Sequence, residues 1–587
     1  MDFQVVKDWI AADVDPATQA ELTELLSAAE GGDAAALSDL ASRFDGTLQF
    51  GTAGLRGAIG GGPNRMNRAV VIRAAAGLMA YLREAVGEEP VVVIGYDARH
   101  GSSDFARDTA AVVTAAGGRA WLMPRVLPTP VLAFATAALD ADAGVMVTAS
   151  HNPPQDNGYK VYLGGRAVTD AGQGAQIVPP YDALIAAQIE AAPAAVDVPR
   201  AQSGWQEVDD AVVARYLSRV AALPTTKVGP SQAGNLRIVL TSMHGVGSWT
   251  ARQALAAAGF TDVHEVAEQA QPDPDFPTVA FPNPEEPGAL DLAFALAERV
   301  GADLILANDP DADRCSAAVP LPGGGWEQLT GDEVGCLLGE QTARLVSAAR
   351  SLGAGDVAKA TAAGGEVGAA PERSVLACSV VSSRLLGKIA ASHGLGHATT
   401  LTGFKWISRV PGLAFGYEEA LGYCVDPAQV RDKDGVSACV SLAALAASQK
   451  AAGSDLRALL DGLALRHGLH ATAPLSIRVD DLALIRTGMA NLRANPPAQL
   501  AGSPVVEVVD LADGWARFDL PPTNGMVLLT AADDRVIVRP SGTEPKLKCY
   551  LEVIQDVDGQ DSLAPAKEAA AARLARLKEE MRAVLGI

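Results

Sequence analysis

Residues 143–160 read AGVMVTASHNPPQDNGYK. The first five are apolar apart from Gly144, and the run then breaks at Thr148, Ala149, Ser150, His151 and Asn152. A short apolar run that stops at polar residues reads as a buried strand feeding a loop. In open α/β sheets, ligands sit beyond the carboxyl ends of strands, so this loop is expected to face a cleft. A serine presented there is a nucleophile once its proton is removed. A Ser150–His151 hydrolase pair is disfavoured, because adjacent side chains diverge in regular structure and no G-x-S-x-G elbow surrounds the serine. His151 is therefore read as a residue that orients or binds. Lys160 follows Asn157-Gly158, read as a turn that folds the lysine back towards Ser150, to bind phosphate or move a proton. Taken alone, the same letters also describe an ordinary polar loop.

Outward from this stretch, short β-branched runs alternate with longer Ala/Leu-rich runs of helical period. VVVIGYD (91–97), RAWLM and AGVMVTAS read as strands, separated by helices over SSDFARDTAAVVTAAGG and from about Thr129. The rhythm restarts at LRIVLTSMHGVG, with a helix over SWTARQALAAAGF, a proline-rich loop, a helix over ALDLAFALAERVGA and the strand DLILANDPDADR. It restarts again from Gly331 with DEVGCLLGEQTARLVSAA, VLACSVV, SRLLGKIAASHG and a long helix from about Asp434. Three similar mixed α/β units follow. Ala/Gly-rich stretches at 186–204 and 350–370 read as a linker and a surface insertion. After about residue 470, LSIRV, VVEVVDL, ARFDL, MVLLTA and RVIVRP read as short strands and APAKEAAAARLARLKEEMRAVL as a closing helix, a smaller α+β domain. The expected domains are 1–208, 209–329, 330–470 and 471–587.

A chain of 587 residues exceeds one hydrophobic core, which agrees with several domains. Its net charge of −22 disfavours nucleic acid as a partner, because that binding needs Lys and Arg to neutralise phosphates. No pair of the six cysteines has C-x-x-C spacing, which argues against a zinc cluster or a redox motif. No signal peptide or membrane-spanning run is seen, so a cytoplasmic location is expected.

Three further loops could carry chemistry, although the one around GYEEALG, taken alone, reads more readily as a surface loop. NDPDADR (308–314) alternates Asp309, Asp311 and Asp313, an oxygen-rich set for a hard cation. An EF-hand starting at Asp309 would need glycine and glutamate where Arg314 and Pro320 stand, so that reading fails and Mg²⁺ is favoured. Arg314 beside it suits a phosphate or substrate oxygen. In LTGFKWISRVPGLAFGYEEALGYCVDPAQVRDKDG, Glu418 and Glu419 occupy a Gly-bounded turn where carboxylates could accept from sugar hydroxyls, accompanied by Lys405, Arg431 and Lys433. In RVIVRPSGTEPKLKCYLEV, Arg539 leads into Ser541, Gly542 and Thr543, a turn suited to an anion nest. No Walker-type G-x-x-x-x-G-K-[ST] occurs. FGTAGLRG (50–57) places glycines around Arg56, where backbone can pass close to a ligand.

FGTAGLRG, TASHNPPQDNGYK, DPDADR, GYEEALG and RPSGTEPK, in this order from about residue 50 to 550, resemble the α-D-phosphohexomutase superfamily of phosphoglucomutases and phosphomannomutases, closest to its longer phospho-sugar mutases. The resemblance implies α/β architecture in four domains, three mixed α/β units plus a C-terminal α+β domain, around one active-site cleft. It implies an isomerase that moves phosphate between O1 and O6 of a hexose, glucose and also mannose, through a phosphoserine and a hexose 1,6-bisphosphate. Ser150 would carry the phosphoryl group. Asp309, Asp311 and Asp313, with an oxygen on Ser150, would bind one Mg²⁺. Arg56, His151 and Lys160 would stabilise charge and shuttle protons. Arg314, Gly403, Phe404, Lys405, Glu418 and Lys433 would meet the sugar, while Arg539, Ser541, Gly542 and Thr543 grip the phosphate that is not transferred. Glucose 1,6-bisphosphate would act as activator and a sugar phosphate as the partner, with no nucleic acid or membrane, in a monomer or homodimer. One departure is Ala420, where many relatives have serine, so a phosphopentomutase or sugar-bisphosphate synthase stays open. A silent sugar-phosphate-binding protein is disfavoured by the presence of Ser150 and all three aspartates.

Overall fold

The computed structural model describes residues 2–52, 54–351, 374–479, 482–540 and 546–586. The chain forms two compact units: Met1–Gln328 with Gly422–Ala447, and Leu329–Leu421 with Ser448–Ile587.

The first unit opens with three helices, Phe3–Ala12, Pro16–Glu30 and Ala34–Phe44, to which the sequence reading assigned no structure. Asp2, Asp15 and Asp33 each accept a first-turn backbone N–H, satisfying donors that a helix start leaves unpaired. Their apolar faces close on one another through Val6, Leu22, Leu26 and Leu40.

Next comes a seven-stranded mixed sheet. Its core strands are β1 (Leu55–Ala58), β2 (Val91–Tyr96), β3 (Arg119–Leu122), β4 (Ala143–Val147) and β5 (Asp156–Leu163). β2 lies parallel between β3 and β4, while β5 runs antiparallel to both β4 and β1. Every residue of β4 is buried, as an apolar run covered on both faces requires. Two expectations fail here. Asn157-Gly158 is not a turn but lies inside β5, with Arg56 opposite Gly158. The Asn157 amide donates to the His100 carbonyl and Ser102 Oγ, and a Cβ on Gly158 would lie 2.6 Å from the Thr148 oxygen, so sheet packing overrides the local turn preference. Residues 186–204 are not simply a linker. The helix Tyr181–Ala191 runs into them, Ile189 packs on the core, and Ala195 and Val198 are buried.

The unit's second sheet orders its strands Trp326–Gln328, Ser316–Pro320, Leu304–Ala307, Ile238–Thr241 and Val263–Glu265, the last three parallel. Leu304–Ala307 ends directly before the aspartate loop.

In the other unit, Val375–Ser379 runs parallel between Gly396–Thr400 and Leu413–Glu418. An antiparallel sheet follows, ordered Leu469–Arg478, Lys546–Gln555, Arg535–Pro540, Met526–Thr530, Ser503–Asp510 and Gln499–Leu500. The helix Gln560–Leu585 covers it with Leu574, Leu577 and Met581. ARFDL is not a strand but holds the short 3₁₀ turn Ala516–Phe518. Trp515 packs edge-on to Phe518 with centroids 4.7 Å apart, and the backbone bridges Trp515 to Leu520. The predicted insertion at 350–370 lies mostly outside the described residues. Among the described residues no helix is long and apolar enough to cross a membrane.

Candidate functional site

The connection from β4 to β5 carries Ser150, which is 3% exposed and held at φ +52. A non-glycine residue adopts that left-handed conformation only where the surroundings impose it. The Ser150 N–H donates to Thr148 Oγ1 at 2.9 Å. Its hydroxyl donates to Asp309 Oδ2 at 2.8 Å and lies 3.3 Å from His151 Nδ1. Adjacent side chains therefore do meet here, because the positive φ breaks the regular alternation.

Asp309, Asp311 and Asp313 are all fully buried, and one oxygen from each lies within 4.8 Å of the others. The loop bends through Ala312 at φ +51, and the Ala312 N–H donates to the Asp309 carbonyl. Thr129 adds a hydroxyl, 2.6 Å from Asp311 Oδ2. Asp311 Oδ1 and Asp313 Oδ1 are buried with no hydrogen-bond partner among the described residues. Unsatisfied buried carboxylate oxygens are costly, and these two, with Asp309 and the serine hydroxyl beside them, form an all-oxygen donor set that fits a hard divalent cation. Burial and the charges of Asp311 and Asp313 push Asp309 well above the usual carboxylate range.

Cations surround this cluster. Lys160 Nζ lies 2.8 Å from Asp311 Oδ2 and 2.9 Å from Asp313 Oδ2. β5 delivers it opposite Met146 of β4, so sheet register rather than a turn brings it to the aspartates. Burial pushes the Asp313 carboxyl up, but Lys160, Lys433 and Arg314 hold it below the usual range. Arg314 Nε sits 3.9 Å from Asp309 and 3.8 Å from Asp313. Arg56 reaches Asn152 Oδ1 at 3.4 Å.

Lys433 was grouped with the sugar loop from sequence, but its contacts in the first unit are with the aspartates: its Nζ is 3.2 Å from Asp313 Oδ2. Gly435 permits this approach, since a Cβ there would lie 2.1 Å from the Arg314 carbonyl oxygen. Asp432 anchors the same turn by accepting from Tyr162 OH at 2.6 Å and Gln176 at 2.7 Å. Arg431 donates to the Ala171 carbonyl. Thr129, Asn152 and Asp432 were given no role from the sequence; Asn152 lies within TASHNPPQDNGYK, but Thr129 and Asp432 stand in no distinctive pattern.

The second unit holds the remaining candidates. Glu418 closes its strand and is 7% exposed. Glu419 accepts from Ser379 and Ser382 hydroxyls at 3.0 and 3.1 Å, an anchor for the loop. Gly403, at φ +112, precedes the short helix Phe404–Ile407 that carries Lys405, and the Phe404 side chain is buried. Arg539 stands opposite Lys548. Directly opposed residues share a sheet face, and like charges so placed repel. An anion at this end of the sheet would relieve that repulsion. Ser541, Gly542 and Thr543 lie outside the described residues.

Family models described as phosphoglucomutase/phosphomannomutase α/β/α domains I, II and III and the C-terminal domain match residues 47–194, 214–323, 357–463 and 488–564. The three α/β units and smaller closing domain read from the sequence are matched in that order. The chain is 45% identical to "Probable phosphomannomutase" of Haemophilus influenzae over 83% of this chain and 93% of that protein. It is 34% identical to the phosphoribomutase of Saccharomyces cerevisiae over 93% and 91%. The crystal structure of a phosphomannomutase homologue from Thermus thermophilus covers 90% of this chain and 99% of its own, with a TM-score of 0.63 and 24% identity, which bears on fold alone.

Proposed function

The chain belongs to the phosphoglucomutase/phosphomannomutase family, whose members are isomerases, and we propose that it interconverts hexose 1-phosphate and hexose 6-phosphate through phosphorylated Ser150. The observation that carries this reading is the 2.8 Å hydrogen bond from the Ser150 hydroxyl to one of three clustered, buried aspartates.

O1 and O6 of a hexose are too far apart for direct transfer within one bound pose. A phosphoserine solves this by giving its phosphoryl group to the free sugar hydroxyl. The new sugar O–P bond forms as the P–Oγ bond of Ser150 breaks, and the hydroxyl proton leaves to a basic group nearby. The resulting hexose 1,6-bisphosphate turns over and returns its other phosphoryl group to Ser150. Asp309, Asp311, Asp313 and a phosphoserine oxygen would hold one Mg²⁺, which supplies charge stabilisation at the transferring group. Lys160, Lys433, Arg314 and Arg56 add positive charge, the main contribution a protein makes to phosphoryl transfer. His151, beside the Ser150 hydroxyl, is placed to hold or pass a proton. Glu418 with Lys405 would bind sugar hydroxyls, and Arg539 the spectator phosphate. Glucose 1,6-bisphosphate would load the serine, in a cytoplasmic enzyme with domains 1–208, 209–329, 330–470 and 471–587.

Ala420 after Glu418-Glu419, with a relative named phosphoribomutase at 34% identity, favours pentose phosphates as a second reading. Coupled assays on glucose 1-phosphate, mannose 1-phosphate and ribose 1-phosphate distinguish the two. Peptide mapping of enzyme treated with glucose 1,6-bisphosphate should find one phosphate on Ser150. Turnover without that modification, or undiminished turnover by Ser150→Ala, would refute the reading.

A further inference from the structure

One side chain that the reaction scheme above does not use grips the loop that presents Ser150 at four points. Arg99 follows β2, and its side chain is 1% exposed. One guanidinium nitrogen donates to the carbonyls of Ser150, at 2.6 Å, and Asn152. The other donates to the carbonyls of Pro153 at 2.8 Å and Asp156 at 3.1 Å. Four main-chain oxygens, spread over the whole connection from Ser150 to the first residue of β5, converge on one cation. Asp97 lies 3.4 Å from Arg99 Nε. The Phe276 ring stacks over the guanidinium at 5.0 Å, and His100 beside it meets Asp275 at 2.7 Å. Phe276 and Asp275 belong to the proline-rich stretch 271–288, which has no part in the reaction scheme.

Four carbonyl dipoles pointing at one another repel unless a cation sits between them. A guanidinium presents a rigid fork of donors, whereas a lysine ammonium has three donors on a flexible stem and cannot reproduce that plane. The carbonyl of Ser150 is one of the four, so Arg99 fixes the backbone of the residue held at φ +52. We infer that Arg99, capped by Phe276, is a positioning residue: it holds the Ser150 loop in the strained conformation that aims the hydroxyl at the aspartate cluster. The inference rests on Ser150 being the phosphoryl carrier. The proline-rich stretch then serves, through Phe276, as the cover over this buried cation.

The test uses the full chain. Arg99→Lys should melt as a folded protein yet lose at least about 100-fold in kcat, with KM for the sugar phosphate within about threefold, since the loop's transition-state geometry is lost rather than substrate binding. The rate at which glucose 1,6-bisphosphate phosphorylates Ser150, followed by intact mass, should fall in step. In Arg99→Ala, added guanidinium ion should restore at least about tenfold of the lost kcat, which a purely structural role would not produce. If the arginine variants fail to fold, Phe276→Leu decides: kcat falls by about three- to tenfold at unchanged KM if the cap matters. Wild-type kcat in folded Arg99→Lys, a lost kcat that guanidinium does not restore, or wild-type kcat in Phe276→Leu overturns the inference. A wild-type enzyme that turns over without phosphate on Ser150 overturns the underlying reading instead, so the two failures are distinguishable.

Discussion

Replacing Lys160 by methionine removes a buried cation while keeping the volume and apolar stem. The Lys160 side chain is 7% exposed and its ammonium lies 2.8 and 2.9 Å from Asp311 and Asp313, which are fully buried. Deleting one partner of a buried ion pair costs about 3–5 kcal/mol, because the other charge is left uncompensated. Lys433 and Arg314 still face Asp313, so the lower end, about 3 kcal/mol, is expected. For a unit of this size, about 2 °C of melting temperature per kcal/mol gives a fall of about 6 °C in chelator-treated protein. Mg²⁺ should narrow that gap. In wild type an incoming cation competes with Lys160 for the same two carboxylates, whereas in Lys160→Met it takes over the missing positive charge. Ligand at about 100 times its dissociation constant stabilises a folded protein that binds it by about 2.7 kcal/mol, and the gain on adding Mg²⁺ should be larger for the variant than for wild type. Thermal melts with chelator and with millimolar MgCl₂ measure both effects without assaying turnover. A chelator-treated variant that melts within about 1 °C of wild type, or a gap that Mg²⁺ leaves unchanged, would show that Lys160 does not balance these carboxylates.

Burial lifts Asp434 from its ordinary 3.8 to about 6, so the folded chain holds this proton more tightly than the unfolded chain. Its contribution is fully present below about 3.8 and is lost as pH rises through about 6, roughly 3 kcal/mol in all; Asp434→Asn should flatten this slope in urea midpoints, and parallel slopes would contradict the assignment. Glu552 accepts from Ser383 at 2.9 Å and Arg384 at 2.6 Å and lies 3.0 Å from Arg535. Burial pushes its carboxyl up, but Arg535, His470 and Arg384 hold it well below the usual range. Glu552→Gln should therefore cost about 3–5 kcal/mol, read by calorimetry as an earlier transition, and an unshifted trace would rule that out. Arg539→Ala should raise KM about tenfold or more with kcat within about threefold, and a fall confined to kcat would remove Arg539 from the spectator-phosphate clamp.

What the sequence revealed depended on how local each signal was. β2, β4 and Leu304–Ala307 are buried throughout or nearly so, so they stand out as apolar runs, and the loops after β4 and after Leu304–Ala307 are marked by where those runs stop. The aspartate triplet was legible because alternating carboxylates behind a buried strand have few structural uses. The N-terminal helices were missed although Asp15-Pro16 is a readable helix start, an N-cap followed by proline in the first turn. Asn157-Gly158 misled because the dipeptide's turn preference is local, while its partners, His100 and Ser102, are more than fifty residues away. Lys433 could not be placed from sequence, since its return to the aspartate loop is a matter of topology whose trace is one close-approach glycine, Gly435. Arg99 was invisible for the same reason: its acceptors are main-chain carbonyls, and a carbonyl carries no residue identity.

The charges around Ser150 give the proposed chemistry a further constraint. Asp309, Asp311 and Asp313 face Lys160, Lys433 and Arg314 within 4 Å, so acidic and basic groups stand side by side in a buried place. A phosphoserine brings about −1.5 to −2 charge, and one divalent cation brings a compensating amount. Adding both leaves the net charge of the buried site nearly unchanged, whereas adding one alone shifts it by about two charges. In a low-dielectric pocket that imbalance is expensive, so phosphorylation of Ser150 and cation binding should favour each other by electrostatics alone. A serine that has just given up its phosphoryl group would then leave the cation less tightly held, and a bound bisphosphate presenting its second phosphate to the same loop would offset that loss. On this argument the three basic residues exclude neither metal nor phosphate. They would set the condition that the two occupy the site together.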